Sequence, residues 1–174
     1  MKSLKGKIIA ILLAVFAAAC AFFSYLLVER GGYKKYEKQA EAAAEKFGVE
    51  KSLILAVMRT ESNFNEKARS EKGALGIMQI MPSTAVFVAD MLNLSEYDLF
   101  NASDNIAIGV KYIAYLSGKF KFEAAVLAAY NAGETNARKW LDGDGEKFSC
   151  KVPFKETRRY IKKVQRRKRL YNYA

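Results

Sequence analysis

The chain has 174 residues, room for one domain plus an appendage, and about half of them are apolar, which is enough for a core. It contains no histidine, which excludes Ser-His-Asp and Cys-His nucleophile systems and the usual zinc sites, while a lysine- or carboxylate-based nucleophile stays open. We therefore expect no metal and no cofactor, and the formal net charge of +11 leaves anionic partners open.

Residues 8–28 form an uncharged apolar run that follows three lysines. As a helix at ~1.5 Å per residue the run is roughly 31 Å long, enough for a bilayer core of ~30 Å. A cleaved signal peptide ending at residues 17–19, or a lipid-anchored Cys20, is the alternative. Because the run continues for eight residues past Cys20, we predict an uncleaved single-pass anchor over residues 1–30. Basic residues flank the run on both sides, so they do not decide its orientation.

Residues 31–48 are predicted to form a helical spacer. A glycine pair at 31–32 interrupts the chain, and a helix rich in Lys, Glu and Ala then runs from Tyr33 to Phe47 and ends at Gly48. Because this helix is mostly polar, we expect it to lie against the following domain rather than inside its core.

The two cysteines, Cys20 and Cys150, are not expected to form an internal disulfide, because one lies in the apolar run and the other in the domain. The chain is thus not a disulfide scaffold. We interpret Cys150 as structural or incidental, not as a nucleophile.

The next predicted helix, Lys51–Ser62, carries a carboxylate near its end. Ile54, Val57 and Met58 share a helix face with Glu61, so Glu61 lies where the core-facing stripe ends. Partial desolvation and the negative end of the helix dipole both favour the protonated carboxyl and raise its pKa. A general acid that works near neutral pH needs such a shift. From periodicity alone, an ordinary exposed glutamate at a helix end is the alternative.

The rest of the chain alternates polar loops with apolar helices. A polar loop covers residues 63–75, where Gly73 and Gly76 indicate tight backbone geometry. Further helices are predicted over residues 82–92, 104–117, 122–132, 134–141 and 155–170, with a loop over residues 141–152. Strand signals amount to a few residues around 76–80. We therefore predict a mainly α domain over residues 49–174.

The chain contains a series of short motifs: Glu61-Ser62 with Phe64, Ser70 with Lys72-Gly73-Ala74, Gly76-Ile77-Met78-Gln79, Met81-Pro82, Ala129-Tyr130-Asn131-Ala132-Gly133, and Pro153 with Glu156-Thr157-Arg158 and Tyr160. Together they resemble the soluble lytic transglycosylase family (family 1), whose domain is lysozyme-like. Each motif is weak alone, but their order and spacing over residues 49–169 are specific. The resemblance implies a lysozyme-like helical domain that acts on peptidoglycan glycan strands on the extracytoplasmic face of the membrane.

In the resembled family one glutamate does the work for which most glycosidases use two carboxylates. The resemblance makes Glu61 that residue: it would protonate the oxygen between N-acetylmuramic acid and N-acetylglucosamine, then take the proton of the muramyl C6 hydroxyl as a 1,6-anhydro ring closes. No second carboxylate lies in a matching motif; the candidates are Glu66, Glu71, Asp90, Asp98, Asp104 and Glu156. A hydrolytic muramidase of the same fold and a non-catalytic wall-binding module are the alternatives.

The resemblance also implies a set of substrate-binding residues: Ser70, Met78, Gln79, Tyr130, Asn131, Glu156 and Tyr160. Met78 and Gln79 would line the cleft beside the acid, and the Tyr160 hydroxyl would orient Glu61 or the substrate. Gln79 lies among apolar neighbours, so its amide would need partners, and sugar acetamido groups would suit it.

Each of these residues has a plain structural alternative. Core packing is the alternative for Met78 and Tyr160, and a turn or helix-end position is the alternative for Ser70 and Asn131. Glu156 could contact the peptide stem of the substrate or form a surface ion pair with a basic residue of its own helix.

The last predicted helix is strongly basic, with nine Lys and Arg against one Glu in residues 155–169. A solvated helix face is one interpretation, and attraction to anionic wall polymers or lipid headgroups is another. Arg166, Arg167 and Arg169 are all expected to be solvated. No nucleic-acid module motif is present, so we expect no nucleic acid partner.

Overall fold

The computed structural model describes residues 2–30, 32–140 and 152–172, and the chain divides into two compact units, Met1–Gly31 and Gly32–Ala174. Most of the loop predicted over residues 141–152, including Cys150, lies outside the described residues.

The first unit is helix α1, Lys2–Arg30. Its segment Gly6–Ser24 is 19 residues long with a mean hydropathy of 2.4, so by length and composition it can cross a membrane. A signal sequence near an N-terminus meets the same criterion. In the described chain this is the one helix that meets it, and the prediction of a single apolar N-terminal helix is confirmed.

The described part of the second unit consists of helices joined by turns and by a long loop over residues 62–81. A 3-10 helix, Tyr33–Tyr36, leads into α2 (Glu37–Phe47), α3 (Lys51–Glu61), α4 (Pro82–Leu92), α5 (Ala102–Ser117), α6 (Glu123–Ala132), α7 (Glu134–Lys139) and α8 (Lys155–Tyr171). The extended pairing found among the described residues is limited to isolated bridges from Leu75 to Arg69 and Ile80. The prediction of a mainly α domain is confirmed.

Helix α3 lies at the centre of the core because apolar side chains cover most of its circumference. Residues 53–58, Leu-Ile-Leu-Ala-Val-Met, are all buried. A helix that is apolar nearly all round must be enclosed by other elements, and α3 packs against α2 and α8. Glu61, at its C-terminal end, is therefore carried by a rigid element.

The predicted spacer contributes to this core rather than only lying against it. Tyr36, Ala40 and Ala43 are buried in the same cluster as α3, and α2 packs against both α3 and α5. Because the composition of α2 is polar overall, the sequence analysis predicted a spacer that lies against the domain. Its buried stripe is narrow, and two small alanines let α2 approach its neighbours closely.

Aromatic side chains join the beginning of the second unit to its last helix. The ring centroids of Tyr33 and Tyr171 lie 5.6 Å apart, those of Phe64 and Tyr171 6.4 Å, and those of Tyr36 and Phe64 6.3 Å. These four residues are the aromatic cluster. Because Phe64 follows α3 closely, the cluster also holds the chain just beyond Glu61.

Helix α8 buries one face and exposes a basic one. Arg167 belongs to the buried face, so the expectation that this side chain is solvated was wrong. Arg167 is 7% exposed, and its Nη1 donates to the Arg59 carbonyl at 3.0 Å and to the Thr60 hydroxyl at 3.2 Å. A guanidinium at this place satisfies a carbonyl at the C-terminal end of α3 and complements the negative end of its dipole. Arg166 and Arg169 are exposed, as expected.

Candidate active site

Glu61 is the last residue of α3 and is half-buried. Burial raises the pKa of its carboxyl from the ordinary 4.5 to about 7, although the nearby Tyr160 hydroxyl and the positive charge of Lys163 lower this pKa. The net effect is a raised pKa, because the loss of hydration destabilises the ionised carboxylate more than Tyr160 and Lys163 stabilise it. A large fraction of Glu61 is therefore protonated near neutral pH, as a general acid requires.

Tyr160 of α8 brings its hydroxyl to this carboxyl. The hydroxyl is buried, and burial, followed by the charge of Glu61, raises the tyrosine pKa well above its usual value. No group in the described ranges meets full hydrogen-bond geometry with this hydroxyl, so its contact with Glu61 is loose. The phenol thus stays neutral and keeps a proton that it can donate to the carboxylate or to a bound ligand.

Tyr130 of α6 is the third group at this point. Burial, and then the charge of Glu61, raises its pKa well above the usual value. Its hydroxyl donates to the Met78 carbonyl at 2.8 Å, which ties α6 to the loop that follows α3. Three helices, α3, α6 and α8, therefore bring one carboxyl and two phenols together.

The loop segment 76–79 is held by Asn105, a buried residue of α5 that we did not single out from the sequence. The Asn105 Oδ1 accepts from the Met78 amide at 2.8 Å, and its Nδ2 donates to the carbonyls of Leu75 at 3.0 Å and Leu99 at 2.9 Å. A Cβ at Gly76 would collide with the Leu99 carbonyl, so the loop can pass here only as glycine.

Gln79 has a left-handed backbone, with φ +51°, a conformation that costs energy for a residue other than glycine. Its Nε2 donates to the Gly76 carbonyl at 2.9 Å, so part of the amide is satisfied within the loop. Next to Glu61, the Ser62 hydroxyl donates to the Ile77 carbonyl at 2.7 Å. The loop is thereby fastened to the end of α3, and Ser62 is a second residue whose role we did not predict.

The Met78 side chain is fully buried, as its core-packing alternative predicted, and a Cβ on Gly109 would collide with its sulfur. Its link to Tyr130 is the hydrogen bond that its backbone carbonyl accepts. Ser70 closes a turn: its amide donates to the Ala74 carbonyl at 2.9 Å, and its hydroxyl accepts from the Ala74 amide at 2.9 Å.

The remaining two predicted residues lie at different places. Asn131 is half-buried near the end of α6, directly after Tyr130. Glu156 is exposed at the start of α8, and its carboxylate lies 4.0 Å from the Lys72 ammonium, across from its own helix. An ion pair with a basic residue of α8 was one of two alternatives for Glu156, and the ion pair observed is with Lys72 of the loop after α3.

An aromatic pocket of about 310 Å³ adjoins Tyr130, and no sequence motif had pointed to it. It is lined by Ser83, Thr84, Phe87, Tyr112, Tyr115 and Glu134. The Tyr112 ring lies 5.7 Å from that of Tyr130 and stacks on Tyr115 at 6.2 Å. Aromatic faces beside hydroxyl and carboxylate groups suit a ligand that is amphipathic, such as a sugar.

The described residues contain no group of three or more His, Cys, Asp or Glu that could hold a metal ion. Apart from burial, the groups that shift the Glu61 pKa are a tyrosine and a lysine, and no carboxylate of the described ranges is among them. The arrangement can deliver a proton and take one back at a single point.

The comparisons with known proteins agree with this geometry. The chain is 37% identical over 126 residues to a soluble lytic murein transglycosylase of Salmonella typhimurium, covering 67% of this chain and 20% of that protein. It is 33% identical over 166 residues to a membrane-bound lytic murein transglycosylase C of Edwardsiella ictaluri, covering 79% and 46%. The chain thus spans between a fifth and a half of the length of these relatives.

A similar solved structure is the lytic transglycosylase Slt of Pseudomonas aeruginosa, described as an inactive mutant in which glutamine replaces a glutamate. It matches with a TM-score of 0.73 and 30% identity, covering 78% of this chain and 24% of that one. The family model described as the transglycosylase SLT domain matches residues 38–151, about two thirds of the sequence. With the lysozyme-like helical fold and the motifs around Glu61 in place, this chain belongs to the transglycosylase SLT domain family.

Proposed function

We propose that this chain is a peptidoglycan lytic transglycosylase with Glu61 as its single general acid and base. The observation that carries the proposal is the half-buried Glu61, whose carboxyl has a pKa of about 7 and, within the described ranges, is influenced by a tyrosine and a lysine rather than by a second carboxylate. The names of the relatives, lytic murein transglycosylases, support the substrate class. The inactive glutamine mutant of the similar solved structure supports an essential glutamate.

In the proposed reaction, protonated Glu61 gives its proton to the glycosidic oxygen between N-acetylmuramic acid and N-acetylglucosamine as the bond to muramyl C1 breaks. The carboxylate then takes the proton of the muramyl C6 hydroxyl, whose oxygen bonds to C1 and closes the 1,6-anhydro ring. Glu61 ends the cycle protonated, and no water is consumed. The 2-acetamido group of the substrate would stabilise the charge at C1 in place of a protein nucleophile.

Tyr130 and Tyr160 fit the role of positioning groups, because both phenols stay neutral beside a carboxyl that changes its charge. Gln79, Asn131 and the backbone at Met78 would border the glycan cleft. We propose that Ser70 and Glu156 contact the substrate at the edge of this cleft. The Ser70 hydroxyl accepts a backbone hydrogen bond and keeps its own proton for a sugar oxygen.

The remaining parts of the proposal concern location. Helix α1 would act as a single membrane anchor over residues 1–30, with the catalytic domain, residues 49–174, on the extracytoplasmic face. Membrane association is supported by the apolar segment Gly6–Ser24 and by the membrane-bound relative. The exposed basic residues of α8 favour long-range attraction to anionic wall polymers.

A muramidase is the second candidate, because the same acid could serve a hydrolysis if water reached C1. The two reactions differ by one water in the mass of the product: the transglycosylase leaves a 1,6-anhydro end and the hydrolase leaves a reducing end. Mass spectrometry of digested wall fragments therefore separates them.

The test of the acid is Glu61→Gln, with the exposed Glu71→Gln as a matched control that makes the same change in a nearby loop. General acid–base catalysis is worth 10²–10⁴-fold, and here one group serves both steps, so we expect a loss at or above ~10⁴-fold with binding of glycan strands retained. Residual activity of the Glu61 variant within about tenfold of the parent would remove Glu61 from its role. Binding without cleavage in the parent would favour a non-catalytic wall-binding module.

A further inference from the structure

The exposed side of α4 is apolar, where a surface helix is normally polar. Val86 is 63% exposed, Phe87 44% and Met91 36%, and Leu94, two residues after the helix, is 39% exposed. Positions 87, 91 and 94 follow the spacing of one helix side, and position 86 lies beside them. These four residues are the α4 face. A contiguous apolar surface that a folded domain leaves exposed is typical of an interaction site.

The segment that contains the α4 face is acidic, although the chain as a whole carries a formal charge of +11. Residues 73–110 include no Lys or Arg and four acidic residues. Of these, Asp90 is exposed on α4, and the exposed Glu96 follows Leu94 closely. A bilayer that contains anionic lipid would repel such a surface. Charge complementarity therefore favours a partner that offers cations beside an apolar depression.

The second unit itself has a depression of this kind between α2 and α5, with a volume of about 220 Å³. Its apolar walls include Ala42, Ala43, Phe47, Ile106 and Ala107. Lys46 also lines it, and the ammonium groups of Lys46 and Lys111 lie 5.3 Å and 6.0 Å from the centroid of the Phe47 ring. We call this depression the α2–α5 slot. A cavity of ~150 Å³ holds a benzene ring, so the slot has room for a large apolar side chain.

We propose that the α4 face of one copy of this chain docks in the α2–α5 slot of a second copy. Apolar side chains of the α4 face enter the slot, and Asp90 and Glu96 lie against its lysines. Each side therefore supplies what the other lacks: an apolar surface beside acids meets an apolar cavity beside cations.

The arrangement of the helices favours a symmetric dimer. Helix α5 packs against both α2 and α4, so the α4 face and the α2–α5 slot border the same helix. A two-fold axis can then make the contact twice, with α4 of each copy in the slot of the other. A stable interface buries about 800 Å² on each partner, which is more than one face of an 11-residue helix offers, so the repeated contact is what the dimer needs.

The test measures the oligomeric state of the full-length protein in detergent micelles by sedimentation equilibrium over a range of concentrations. Asp90→Lys/Glu96→Lys reverses the charge beside the α4 face, and Lys46→Glu/Lys111→Glu reverses the charge of the slot. Because each dimer contains the contact twice, we expect either double variant to raise the dissociation constant of the dimer at least about tenfold.

Two further variants serve as controls. Lys155→Glu/Arg169→Glu makes the charge change of the slot variant at exposed positions of α8, and it should keep the dissociation constant of the parent. Val86→Ser leaves every charge in place and removes part of the apolar contact, so it should weaken the dimer.

Mixing the two charge-reversed variants provides the decisive measurement. In a mixed dimer the acidic α4 face of the slot variant meets an unaltered slot, and the lysines of the α4 variant meet the new glutamates. Both contacts are then complementary again, so we expect a heterodimer with a dissociation constant within about threefold of the parent's. A variant that failed to fold could not be rescued in this way.

Several results would overturn the proposal. A parent that stays monomeric at every concentration does so, as do dimers that persist unchanged in both charge-reversed variants, which would associate through α1 or another surface. Variants that dissociate separately but do not recombine on mixing would show that α4 and the slot are not partners. Flotation of a monomeric parent with phosphatidylcholine vesicles, lost in Val86→Ser, would assign the α4 face to a lipid surface instead.

Discussion

Replacing Asn105 by alanine tests whether the loop beside Glu61 depends on one buried amide. The substitution removes three hydrogen bonds, to the Met78 amide and to the carbonyls of Leu75 and Leu99. The Leu75 carbonyl still accepts from the Ile80 amide at 2.9 Å, so the substitution leaves two groups unsatisfied, the Met78 amide and the Leu99 carbonyl. Each unsatisfied buried group costs ~1–3 kcal/mol, and we expect a loss of about 3 kcal/mol in the free energy of unfolding.

Asn101→Ala is the matched control. Asn101 caps the same helix, accepting from the amides of Ser103 at 2.9 Å and Asp104 at 3.3 Å, and a lost cap costs ~1 kcal/mol. Urea unfolding of the full-length protein in mild detergent should therefore separate the variants by about 2 kcal/mol. The Asn105 variant should also lose more than tenfold in kcat, because Met78 and Gln79 shift, while the Asn101 variant keeps its activity. Equal stability and equal activity of the two variants would refute the reasoning.

Further predictions concern charge and location. Folding raises the pKa of Glu61 from 4.5 to about 7, so its contribution to stability is present below pH 4.5 and is lost as the pH rises through 7. Glu61→Gln should match the parent in urea unfolding at pH 4 and exceed it by up to roughly 3 kcal/mol at pH 8, and an equal pH dependence of the two would contradict the burial of the carboxyl. Arg167→Gln should cost about 2 kcal/mol, whereas the exposed Arg169→Gln should stay within ~0.5 kcal/mol, and equal Tm values would count against the buried guanidinium. The full-length protein should remain in membranes at its unprocessed mass, and a soluble form that begins near Cys20 would overturn the anchor.

Local chemistry made several helices predictable from the sequence. Pro82 fits the first position of a helix, and α4 begins there as predicted. Helix α5 begins two residues before the predicted start because Asn101, outside the apolar pattern, caps it. The burial of α2 was missed because a narrow stripe of alanines carries little hydrophobic signal.

The candidate site shows where such reasoning stops. The raised pKa of Glu61 was predicted from its place at the end of an apolar stripe, and burial is its main cause. Asn105 binds a loop 27 residues away, and Ser62 binds one 15 residues away, so no local pattern indicates these bonds. Arg167 lies in a run of basic residues and cannot be told from them in the sequence. Only the fold shows that its guanidinium binds the Arg59 carbonyl near the end of α3.

The aromatic cluster determines how the chain connectivity of the second unit can be changed. Tyr33 and Tyr171, near the first and last described residues of this unit, have ring centroids 5.6 Å apart. Chain entry and chain exit are therefore neighbours, and a short linker would join them without disturbing the packing between α3 and α8. A circular permutant that opens within the exposed residues 93–96, directly after α4, would leave the hydrogen bond between Asn105 and the Leu99 carbonyl in place. A domain fused after Tyr171 would emerge from the same region at which the chain enters.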